Sequence, residues 1–80
     1  MRLIAGDEKK SMLERGLNFS MILEAPIIDF RENPAYDGQM LLIVKLEEQA
    51  VVVPCKPIGG NQWVMVTAFP SRKETKRYIT

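Results

Sequence analysis

Eighty residues, 46% of them hydrophobic and 26% charged, make one small globular domain with no room for a second core, a repeat array or a large cofactor domain. The single cysteine, Cys55, has no partner for a disulfide within the chain, and the lack of histidine excludes zinc fingers, histidine-based triads and most transition-metal sites. The net charge of +1 is unevenly spread: residues 1–15 carry +1, residues 16–70 carry −3, and residues 71–80 carry +3 from Arg72, Lys73, Lys76 and Arg77 against Glu74.

At the N-terminus, Leu3 and Ile4 suit either a short strand or an apolar lead-in. Gly6 frees the backbone ahead of Asp7, an N-cap for a helix running to Arg15. The apolar positions of that helix, chiefly Met12 and Leu13, are few, so neighbours must hold it. Gly16 fits the left-handed stop of this helix. Asn18 or Ser20 then caps a second short helix through about Ala25, which Pro26 ends.

Beyond Pro26 the period becomes strand-like. Ile27 to Phe30 is the weakest segment, and Asn33, Pro34, Asp37 and Gly38 supply turn chemistry before a strand from Met40 to Leu46. Glu47 and Glu48 make a tight hairpin into a strand from Ala50 to Val53, and Pro54 and Pro57 are expected to break the ladder. Gly59, Gly60 and Asn61 turn the chain into a strand from Gln62 to Ala68, with Trp63, Met65, Thr67 and Phe69 on one face. Ser71 and Glu74 fit a capping box opening a helix from Arg72 to about Tyr78. The expected fold is α+β: two short N-terminal helices, an antiparallel three- or four-stranded meander, and a C-terminal helix. Both sheet faces are largely apolar, so the N-terminal helices cover one. The other needs the C-terminal segment, a second copy of the chain or another protein.

No apolar run approaches the roughly 18 residues of a membrane span, and residues 1–20 lack the pattern of a secretory signal, so a cytoplasmic domain without membrane contact is expected. No phosphate-binding glycine loop, calcium loop or metal-ligand spacing occurs, and neither a cofactor nor a metal is expected. Cys55, after three valines and a proline, reads as a buried structural thiol. Trp63 and Phe69 have faces on which bases can stack, but as strand aromatics they read first as core or interface residues. The run from Pro70 to Tyr78 is the most informative, with four cations, a carboxylate and a phenol within about two helical turns. Glu74 and Tyr78 are an i, i+4 pair there.

Two segments carry a family resemblance. The run Leu13-Glu14-Arg15-Gly16-Leu17-Asn18-Phe19 resembles the end of the first helix in BrnT-type toxins. The strand Val64-Met65-Val66-Thr67-Ala68, followed by a basic helix with Glu74 and Tyr78 four apart, resembles that family's last strand and terminal helix. The order of elements agrees over nearly all of the chain. The resemblance implies a RelE-like fold, ribonuclease activity on messenger RNA, and neutralisation by a cognate antitoxin, usually of the ribbon-helix-helix type, with a homodimer or a hetero-tetramer with the antitoxin as assembly. The chain departs from the family in having Arg15 where histidine is common and Phe69-Pro70 where an arginine is expected, with Arg72 the nearest substitute.

Metal-independent RNA cleavage uses the 2′-hydroxyl as nucleophile, and needs a base, an acid and cations for the developing phosphorane charge. The expected catalytic residues are Arg72 and Lys73 on the scissile phosphate, with Tyr78 or Glu14 assisting proton transfer. Lys9, Lys10, Arg15, Lys76 and Arg77 are the expected RNA-binding residues. This assignment requires cations of the first and last helices to meet at one concave spot beside the sheet. The rival reading is a catalytically silent interaction module that binds a partner protein or RNA, and a third is a small homodimeric structural protein resting on the two-sided apolar sheet.

Overall fold

The structure, a computed structural model, describes residues 2–6 and 10–79. Strand β1 (Arg2–Ile4) is followed by helices α1 (Lys10–Glu14) and α2 (Phe19–Glu24). Strands β2 (Ile27–Glu32), β3 (Met40–Leu46), β4 (Gln49–Gly59), β5 (Gln62–Met65) and β6 (Phe69–Ser71) come next, and helix α3 (Arg72–Tyr78) closes the chain. Gly16 ends the first helical segment with φ 77°, a left-handed conformation that a side chain disfavours. Asn18 caps α2, its side chain accepting from the Met21 amide at 3.0 Å. Asp7, the expected cap of the first helix, lies outside the described residues.

The expected antiparallel meander is corrected to a mixed six-stranded sheet, in the order β1-β5-β4-β3-β2 with β6 also paired to β4. Strand β1 runs parallel to β5, from Arg2 beside Gln62 to Ile4 beside Val64. A three-residue segment carries no readable period, and only this distant partner makes it a strand. The segment Gln62 to Ala68, expected as one strand, divides. Strand β5 stops at Met65, and β6 pairs with the opposite half of β4, Phe69 beside Val52 and Ser71 beside Ala50.

That division explains why the prolines fail to break β4, which runs to Gly59 rather than Val53. Pro54 sits where the neighbour of β4 changes from β6 to β5, so its missing N–H falls between two ladders, and its carbonyl accepts from the Val66 amide at 2.9 Å. Pro57 lies beside the register shift that precedes Gly59, a further place where a ladder bond is dispensable.

The sheet separates two apolar clusters. Leu42, Val44, Val51, Val53 and Cys55 point to the first face, where Met12, Leu17 and Ile22 of the helical segment cover them. Ile43, Ala50 and Val52 point to the second face, with Tyr78 and Ile79 against them. The strict alternation of β3 and β4 produces this division, and the two helical ends of the chain therefore lie on opposite sides of the sheet. The break after Met65 also shifts the phase of the chain. Met65 and Ala68 both join the first cluster, while Val66, Thr67 and Phe69 line the second face.

Candidate functional site on the α3 face

Ser71 caps α3 as expected, its Oγ accepting from the Glu74 amide at 3.2 Å. Thr75 ties the helix to the sheet: its hydroxyl donates to the Ser71 carbonyl at 2.7 Å and accepts from the Ala50 amide at 2.9 Å. The second half of the expected capping box is absent, because the Glu74 side chain turns inward to Arg31 of β2. Arg31 Nη2 donates to Glu74 Oε2, and Nη1 donates to the Tyr78 hydroxyl at 2.9 Å and to Asp29 Oδ2 at 3.4 Å. Tyr78 donates in turn to the same Asp29 oxygen at 2.5 Å. Asp29 and Arg31 face Ile43 and Leu41 across the ladder, and this places both on the second sheet face beneath α3.

This clasp sets its own protonation. The Tyr78 hydroxyl, the Phe30 amide and Arg31 hold the Asp29 carboxyl below the usual carboxylate range, while the bond to Asp29 pushes the Tyr78 phenol above its ordinary value. The Tyr78 proton thus stays on oxygen and is committed to Asp29. Glu74 is the one buried charged residue among the described residues, its side chain 6% exposed, and its Oε1 has no hydrogen-bond partner among them.

Beside the clasp lies an open groove of about 640 Å³. Its floor is apolar, formed by Leu41, Val52, Pro54 and Val66. Arg31, Lys56 of β4 and Lys73 of α3 bring positive charge from three elements, and Tyr36 of the β2–β3 loop and Phe69 of β6 stand at its edges with 63% and 36% exposure. Arg31 is occupied by Asp29 and Glu74, whereas Lys56 and Lys73 have no ion pair among the described residues.

The expected site residues divide between the two faces. Arg72, Lys73, Lys76, Arg77 and Tyr78 all lie on α3. Lys10 and Glu14 lie on α1, where they form an exposed i, i+4 ion pair at 3.9 Å, and Arg15 follows them. Lys9 lies outside the described residues. The cations of the first and last helices do not converge, because the sheet stands between the elements that carry them. Trp63 is also removed from the groove, since it packs on the first face with its ring edge-on to Phe30 at 5.4 Å between centroids. Arg31, Asp29, Lys56 and Tyr36 were missed. Asp29 and Arg31, two apart on a strand, were legible as a same-face opposite pair, but their partners on α3 were not. Comparison with protein-family models, with curated proteins and with solved structures gives no match.

Proposed function

We propose that this domain binds single-stranded RNA along its α3 face, as an interaction module without catalysis of its own. One observation carries the reading: the groove combines an apolar floor, exposed aromatic rings at Tyr36 and Phe69, and two unpaired cations, Lys56 and Lys73. An unpaired base has a flat apolar face for the rings, and its phosphate is an anion for the lysines. A duplex keeps its bases stacked inside and offers the rings nothing. The choice of RNA follows the sequence resemblance of residues 13–19 and of the Glu74–Tyr78 spacing to ribonuclease toxins, although the strand expected from Val64 to Ala68 stops at Met65.

Catalysis finds less support. Tyr78 has its proton engaged by Asp29, Glu14 is on the far side of the sheet, and Glu74 is buried against Arg31. Arg72 and Lys73 are therefore left without a proton-transfer partner among the residues expected to supply one.

The test is fluorescence anisotropy with a labelled unstructured RNA, its duplex and the DNA equivalent. Single strands should bind and duplexes should not. Tyr36→Ala should weaken binding by about 1–3 kcal/mol, the cost of removing one stacking ring. Equal affinity for duplex and single strand would overturn the reading. Incubation with long RNA decides the catalytic question in the same samples. Fragments ending in cyclic phosphate or 3′-phosphate, formed by the parent and not by Arg72→Ala, would instead support a ribonuclease toxin.

A further inference from the structure

The groove has a neighbour. A second hollow of about 770 Å³ lies between the start of α3 and the β3–β4 hairpin, and its lining includes Arg72, Lys76 and Gln49. The two hollows share Ser71 and Lys73, so they adjoin along the β6–α3 corner with Lys73 on the ridge between them. Arg72 and Lys76 have no ion pair among the described residues, and Glu48 is the only carboxylate on the second lining among those residues.

Resting on the RNA-binding reading above, we infer that a single strand seated in the groove continues over the Lys73 ridge into this second hollow, where Arg72 and Lys76 hold the flanking phosphates. The chain then has a two-part site. The groove takes unpaired bases through Tyr36 and Phe69, and the hollow takes backbone alone, since no aromatic side chain among the described residues lines it. Lys56, Lys73, Arg72 and Lys76 form the cationic path, and Arg31 stays outside it because two carboxylates already neutralise its surroundings.

Salt dependence counts the phosphates neutralised, at about −0.7 in log K per log salt for each on a single strand. A labelled oligouridylate long enough to cross both hollows, about twelve nucleotides, should show a slope of about −2.8. One of about three nucleotides, confined to the groove, should show about −1.4. The double variant Arg72→Gln, Lys76→Gln should bring the long probe down to the slope of the short one and leave the short probe unchanged. Both residues are exposed, and circular dichroism of the variant should match the parent. Equal slopes for the two lengths, or equal losses for both probes in the double variant, would overturn the two-part site while leaving the groove intact. Failure of the parent to bind either probe would overturn the groove itself and this inference with it.

Discussion

The Arg31–Glu74 pair makes a quantitative demand on stability. Glu74 is 6% exposed at its side chain and has one oxygen on Arg31 and the other without a partner among the described residues. Replacing Arg31 by methionine keeps the aliphatic stem and removes the charge, and so leaves a buried carboxylate unpaired. Losing one member of a buried pair costs about 3–5 kcal/mol, and the low end applies because the Arg31 side chain is 30% exposed and water reaches part of the vacated space. A loss of about 3 kcal/mol is large against the 4–12 kcal/mol, roughly, that a domain of this size holds. It should lower Tm by about 12–24 °C. Adding Glu74→Leu removes the orphaned charge, and the double variant should recover most of the loss, as apolar replacements of buried pairs commonly do. Urea unfolding of parent, Arg31→Met, Glu74→Leu and the double variant measures the cycle. Strictly additive effects, or a loss under about 1 kcal/mol in Arg31→Met, would refute the idea that the pair fixes α3 to β2.

Three single residues give further outcomes. A Cβ at Gly6 would stand 2.7 Å from the Met65 carbonyl oxygen, a backbone atom that cannot swing away, so Gly6→Ala should cost about 1–3 kcal/mol in urea unfolding. Burial pushes the Cys55 thiol up to about 11, so it should not react with a thiol reagent at pH 8 until the chain is unfolded, and rapid labelling of the folded protein would contradict its burial. The same raised value means stability falls as pH rises from about 9, where an unfolded thiol ionises, toward 11. Asp29 has the opposite sign. Its lowered folded pKa adds stability above its ordinary value of 3.8 that is lost as pH falls through the folded value, so Asp29→Asn should flatten the acid limb of the stability profile.

Elements fixed by local chemistry were legible in the sequence, and those fixed by distant partners were not. The strand Met40–Leu46 and the helix Arg72–Tyr78 have the bounds their patterns indicate, because apolar alternation set one and the Ser71 cap set the other. Strand β1 was one of the two readings open for Leu3 and Ile4, but its parallel partner β5 lies sixty residues away, and nothing in Arg2-Leu3-Ile4 announces that pairing. Pro54 and Pro57 pointed to the end of a strand because their tolerance depends on where neighbours begin and stop. Glu74 had two available roles, one closing its own cap and one reaching Arg31 across 43 positions, and only the packing of α3 on β2 decides between them.

The placement of charge follows from that packing. Strands β3 and β4 are apolar on both sides, and each side must be covered. The helical segment that follows β1 covers the first, and the short α3 covers part of the second, leaving Leu41, Val52 and Pro54 to floor the groove. Seven residues of helix cannot shield the width of that face, so the partial cover itself makes an apolar hollow beside a cationic helix. The groove thus lies against the first turn of a short basic helix, at Ser71, Lys73 and Glu74, while the bonds of Thr75 to Ala50 and of Tyr78 to Asp29 hold the rest of α3 outside its lining.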